Sequence, residues 1–200
     1  MKLRILGLSL VAAFALTAAS SALAVSEFHG TKTGLVDLEG TSEQELVLAN
    51  GGKIVCTSLK GSATNTALNV PSISFLVFYS GCEAFGNKAT VTTGEITFFG
   101  TGGVSILIVS GSADQFIITA PVAKCSVAII NGGNNTTLKS ITYANKSNGT
   151  IVGEAKVTGI EYEVNSATTH TSCGTAKEKN VGKYVGNGIS SLVGGTIKVS

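Results

Sequence analysis

Tryptophan is absent from this 200-residue chain, methionine occurs only as Met1 and arginine only as Arg4. Without a further arginine there is no bidentate guanidinium to recognise phosphate or guanine. Lysines do not cluster either: the densest place is Lys177, Lys179 and Lys183, interrupted by Glu178. Nucleic-acid and anionic-membrane partners are therefore not expected. Histidine is limited to His29 and His170, and aspartate to Asp37 and Asp114. A Ser-His-Asp set would need one of these histidines oriented by one of these aspartates, or by a glutamate in that role. No Gly-x-Ser-x-Gly elbow, Asp-x-Asp calcium loop or Cys-x-x-Cys redox pair occurs. The sequence implies no cofactor and no metal.

What is present begins with the N-terminus. Met1-Lys2-Leu3-Arg4 leads into an uncharged, mostly apolar run from Ile5 to Ala19, and then into Ser20-Ser21-Ala22-Leu23-Ala24. A basic tip, a short apolar centre and a small-x-small end predict a signal peptide over residues 1–24, cut before Val25. The run is too short for a comfortable membrane span. Removing Lys2 and Arg4 from the 14 Lys+Arg leaves 12 lysines against 12 Asp+Glu, so the secreted region 25–200 has no net charge. No cysteine follows the cut to accept a lipid, and the C-terminus Gly194–Ser200 carries no apolar tail. The expected location is extracellular or at the cell envelope, without integral insertion once the signal is removed.

Region 25–200 is rich in Gly, Ser, Thr, Asn and Val, and shows no sustained apolar spacing of three and four residues. Short apolar or alternating runs separated by turn residues predict an all-β, antiparallel sandwich or barrel. Glu45–Ala49, Asn50-Gly51-Gly52 and Lys53–Cys56 read as a hairpin, because Asn-Gly supplies the positive φ angles of a tight turn. Ser72–Tyr79 ends in Phe75-Leu76-Val77-Phe78 and reads as a strand covered on both faces. Val104–Val109, Phe116–Ile118, Ser126–Ile130, Leu138–Ala144, Gly182–Gly186 and Gly195–Val199 are further strand candidates. In Thr150–Val164, Val157 has one parity and Ile160, Tyr162 and Val164 the other, which predicts a β-bulge near Gly159.

Cys56, Cys82, Cys125 and Cys173 permit three pairings, and their wide spacing argues for structural disulfides rather than zinc. Ile54–Thr57 is echoed by Ala123–Ser126, and Ala89–Gly94 by Ala155–Gly159, at offsets of 69 residues (Cys56 to Cys125) and 66 residues (Ala89 to Ala155). The echo suggests two duplicated β units with a candidate boundary near residue 120. It favours the sequential bridges Cys56–Cys82 and Cys125–Cys173, one per unit.

Gly52 to Cys56, then Tyr79-Ser80-Gly81-Cys82-Glu83-Ala84-Phe85-Gly86, then Ala89-Thr90-Val91 form a pattern within Glu45 to Val164. It resembles a group of uncharacterised secreted actinobacterial β-rich proteins with a Tyr-Ser-Gly-Cys-x-Ala-Phe-Gly motif. That resemblance implies fold, compartment and a bacterial origin, and brings no activity. Two further cysteines of such proteins fall at Glu95 and at Ala120, before Pro121, so this chain would lack both partners of that bond.

Candidate chemistry is sparse. His29 and His170 read as exposed loop residues. Glu161 and Glu163 share a strand face, as do Glu43 and Glu45, the spacing of a glycosidase carboxylate pair, but Glu161 and Glu163 alternate with Ile160, Tyr162 and Val164 as a solvated sheet face does. Tyr143 and Tyr184 are the tyrosines considered for exposure. Sequons at Asn134, Asn135, Asn145 and Asn148 read as Asn-rich turns. The expectation is a non-catalytic secreted or cell-envelope β-domain with a binding or structural role, its partner an envelope component or another protein. The alternative is a secreted inhibitor or small-ligand carrier using a cleft, with the Gly100–Gly103 stretch and the Asn131–Thr137 loop as candidates. A secreted hydrolase ranks third.

Overall fold

The computed structural model describes residues 26–107, 116–130, 138–165, 170–171 and 173–200. The expected signal peptide, the Asn131–Thr137 stretch and the sequons at Asn134 and Asn135 lie outside the described residues, as do the last residues of the expected Val104–Val109 strand. The described chain is all-β and antiparallel. Its first strands are β1 (Phe28–Gly30), β2 (Gly34–Gly40), β3 (Gln44–Val47), β4 (Lys53–Asn65), β5 (Asn69–Val70) and β6 (Ser72–Ala84). Then come β7 (Asn87–Val91), β8 (Gly94–Phe99), β9 (Gly103–Leu107), β10 (Ile117–Ala120), β11 (Cys125–Ile129) and β12 (Leu138–Lys139). The last six are β13 (Ile141–Asn145), β14 (Ile151–Val164), β15 (His170–Thr171), β16 (Gly174–Thr175), β17 (Lys179–Leu192) and β18 (Ile197–Val199).

The main sheet closes on itself. Hydrogen-bonded pairs run β4–β6–β7–β10–β11–β14–β17–β2 and back to β4, a ring of eight strand positions. Several positions are filled by two strands in succession. β3 continues the line of β2, between the other halves of β17 and β4. β6 pairs with β7 near Cys82 and with β8 over Ser72–Val77. At that second end the path continues through β9 to β12, and Ser140 leads directly into β13, which pairs with β14. The amides of Ser140 and Ile141 donate to the carbonyl of Gly102, and Lys156 N donates to Ser140 O at 2.9 Å. The barrel is thus closed at both ends of its long strands, and closure removes the unpaired edges that invite aggregation. Strands from both sides of residue 120 interleave in the ring.

Side chains divide by face. On β6, Ile73, Phe75 and Val77 point in and are buried, whereas Leu76 and Phe78 are 44% and 48% exposed. The expectation of a strand covered on both faces is therefore corrected: a single-sheet barrel has one inner face, and these two side chains stand outside it. In both β4 and β6 the inward parity switches at the same level. Ile54 and Cys56 point in, then Leu59 and Ala63; opposite them, Phe75 and Val77, then Cys82 and Ala84. Gly81, at φ 61°, sits at the switch against the Thr57 side chain. The β-bulge expected near Gly159 is present: the β14–β17 register shifts between Thr158 and Ile160, Gly159 has φ 83°, and Val157 and Ile160 are both buried.

The Asn50-Gly51-Gly52 turn also forms, with Leu48 N donating to Gly52 O at 2.8 Å and Asn50 Oδ1 accepting from Gly52 N at 2.9 Å, but Gly51 alone supplies positive φ (82°) there, and Asn50 serves through its side chain. The disulfides are Cys56–Cys82, directly across β4 and β6, and Cys125–Cys173. A separate sheet, β18–β1–β5, lies at the end formed by β8 and β13. Asn145 clamps it there through bonds to Val199 O (2.7 Å) and Val199 N (2.8 Å), and Phe28 and Ile197 bury themselves beneath it.

Candidate functional site

The barrel interior is incompletely filled. Several inward positions carry alanine, among them Ala63, Ala84, Ala89 and Ala120, all buried. Small residues on an inner face leave volume that longer side chains from the opposite wall must reach across. The reach is not complete, and a cavity of about 110 Å³ remains between the strands. Its wall is almost all carbon, contributed by residues such as Val91, Ile96, Ile118, Ala155 and Val157. Among the described residues, the polar ones on that wall are Gln44, Tyr79 and Tyr184, and no charged side chain lines it.

These three groups spend their polarity on one another and on the backbone. Gln44, at the start of β3, is 2% exposed. Its Nε2 donates to Ser42 O (2.7 Å) and Asn187 O (3.0 Å), and its Oε1 accepts from the Tyr184 hydroxyl. Tyr184 and Tyr79 share a hydrogen bond. Burial raises the pKa of both tyrosines, and for Tyr184 the neighbouring Tyr79 adds to the rise. Both are therefore neutral across the physiological range. Gly186 makes this cluster sterically feasible, since a side chain there would collide with the Gln44 amide. Phe116 packs edge-on to Tyr79 at 6.1 Å, its ring lying where a side chain on Gly94 would have to be.

The groups considered for chemistry in the sequence lie elsewhere. Glu161 is exposed and Glu163 half-buried, on strand positions alternating with the buried Ile160, Tyr162 and Val164. Glu45 pairs with Lys53 at 3.1 Å on the outside, and Glu43 is exposed before β3. His29 is not a loop residue: it lies on β1, half-buried, with Nδ1 2.7 Å from Asn69 Oδ1. His170 is on β15, paired with Thr175 of β16. Tyr143 and Tyr184 are not exposed platforms. Both line interior cavities, which removes the stacking surface a sugar would need. The Gly100–Gly103 stretch is a tight turn between β8 and β9 rather than a binding loop. Gly102, at φ 81°, approaches the Ile141 carbonyl too closely for a side chain. Asn145 and Asn148 serve the fold: Asn148 Oδ1 accepts from the Thr150 hydroxyl at 2.8 Å. Among the described residues no three His, Cys, Asp or Glu side chains gather as a metal site.

The cavity and its Gln44–Tyr184–Tyr79 cluster were missed in the sequence. Gln44 precedes an unremarkable hairpin, and nothing local marks Tyr79 and Tyr184 as neighbours across the barrel. The Tyr79–Gly86 motif acquires a structural meaning. Gly81 permits the β4–β6 switch, Cys82 carries the bridge, Ala84 is fully buried, and Phe85 and Gly86 make a positive-φ turn over Gly52. Comparison with protein-family models, with characterised proteins and with solved structures finds no match to this chain.

Proposed function

We propose that this protein is a non-catalytic binding module that takes up a small, largely apolar molecule, or the apolar end of one, inside its barrel. The observation that carries this reading is the apolar cavity of about 110 Å³ whose few polar groups already satisfy one another. Eight-stranded barrels are just wide enough to be filled by side chains or to hold one small ligand. An apolar cavity of roughly 150 Å³ holds benzene, so the volume here suits a ligand of similar size. Two disulfides fit an oxidising compartment, which supports a secreted or envelope-associated carrier. Neither His29 nor Glu161 nor Glu163 lines the cavity, which favours binding over hydrolysis.

The test is a titration of the purified protein with benzene, followed by amide and methyl chemical shifts. Shifts concentrated on Val91, Ile96, Ile118 and Val157, and abolished by the cavity-filling substitution Ala155→Leu, are expected. Shifts scattered over the outer face, or unchanged in Ala155→Leu, would reject the reading.

A further inference from the structure

The four tyrosine hydroxyls are treated unequally. Tyr162 accepts from Ala49 N at 2.9 Å, Tyr184 donates to Gln44 Oε1, and Tyr79 bonds to Tyr184. The Tyr143 hydroxyl is buried and has no hydrogen-bond partner among the described residues. A buried O–H left unmatched is destabilising, and the same fold has satisfied the other three.

Tyr143 lines a second cavity of about 30 Å³, beneath the small end sheet and against Phe28, Ile151 and Ile197. Phe28 packs edge-on to the Tyr143 ring at 5.5 Å and holds it in place. Leu38 and Phe98 line both this cavity and the 110 Å³ one, so these two side chains form the partition between them. Among the described residues, Ser190 is the other polar one on the small cavity's wall, and no charged side chain lines it. An ionised carboxylate would enter uncompensated, at a large desolvation cost. A neutral acceptor oxygen would find the buried Tyr143 hydroxyl, which has no partner among the described residues.

We propose that Tyr143 is the polar anchor of the bound molecule, and that the ligand is neutral, with one acceptor oxygen (ketone, ester or ether) attached to a compact apolar body. The oxygen accepts from the Tyr143 hydroxyl in the small cavity. The body reaches the large cavity by displacing the Leu38 and Phe98 side chains that border both spaces. This rests on the binding reading above and adds the chemical class of ligand.

Acetophenone and ethylbenzene are a matched pair of probes, since they differ mainly by a carbonyl in place of a methylene. Both are titrated into wild type and Tyr143→Phe, and dissociation constants are taken from chemical shifts. Tyr143→Phe should weaken acetophenone about tenfold and leave ethylbenzene unchanged, the signature of one lost hydrogen bond. If both probes bind and the substitution changes them equally, or changes neither, the anchor is refuted while the apolar-binding reading stands. If neither probe binds wild type, that reading fails and takes the anchor with it. Thermal melting of the free proteins is the second readout. Tyr143→Phe should melt at the wild-type temperature or above it. A lower melting temperature would mean that the hydroxyl is already satisfied without ligand, and would overturn the proposal.

Discussion

Gln44 shows how one buried side chain can fix two strands and a cavity wall together. It bonds to two backbone carbonyls and to Tyr184 while 2% exposed. Gln44→Met conserves much of the volume but leaves those carbonyls and the hydroxyl unmatched. The expected loss is about 2–4 kcal/mol in urea denaturation, since each stranded buried group costs about 1–3 kcal/mol and some will find water. The tyrosines add a pH dependence. Burial raises the pKa of Tyr79, Tyr143 and Tyr184 above the ordinary value near 10. The folded state therefore keeps its phenolic protons where the unfolded chain releases them. This contribution is fully present below about pH 10 and is lost as pH rises from there toward the folded-state values, by about 1.4 kcal/mol per pH unit for each such tyrosine. Alkaline titration followed by phenolate absorbance should show these residues ionising together, in step with the loss of near-ultraviolet circular dichroism. A gradual rise centred near pH 10 in a still folded protein would contradict the burial.

At the scale of elements, the sequence was readable wherever a signal is local. The Gly51 turn, the Gly159 bulge and the β18 strand follow from turn chemistry and from the parity of nearby apolar residues, whereas the single strand expected over Leu138–Ala144 is broken at Ser140 into β12 and β13, which pair with different neighbours. The simultaneous parity switch in β4 and β6 was not readable, because it depends on which residues of two strands face each other. Thr57 and Gly81 carry the signal only once Cys56 is known to lie opposite Cys82. That switch gives two predictions of different size. Gly81→Ala forces a side chain into positive φ and against Thr57. It should destabilise by about 1–3 kcal/mol, measured as a shift of the urea midpoint with unchanged slope. Cys82→Ser opens the bridge in the same place, and losing a native disulfide from a small secreted domain typically costs about 2–5 kcal/mol. The two should combine less than additively, since the sites are adjacent and share the same strand register.

For the molecule as a whole, barrel closure decides what is inside, and closure is the property a linear reading reaches last. Alternation identifies β-strands, but a sandwich and a barrel share it. The distinction here rests on long-range pairs such as β17 with β2 and β4 with β6. The cavity is a further step away, because it depends on the summed volume of inward side chains from every strand. Closure also separates the groups that could do acid–base chemistry from the space that could hold a ligand. Glu161 and Glu163 lie at outward positions of β14, and His29 belongs to the end sheet, bonded to Asn69. The triple variant His29→Ala, Glu161→Gln, Glu163→Gln should therefore melt within a few degrees of wild type. Surface changes away from special features usually stay within about 0.5 kcal/mol each, with the His29–Asn69 bond adding a similar amount. It should also bind benzene with an unchanged dissociation constant. A triple variant that folds normally but no longer takes up the probe would place the functional surface on the outside of the barrel. The interior cavity would then be a packing feature of a wall rich in alanine.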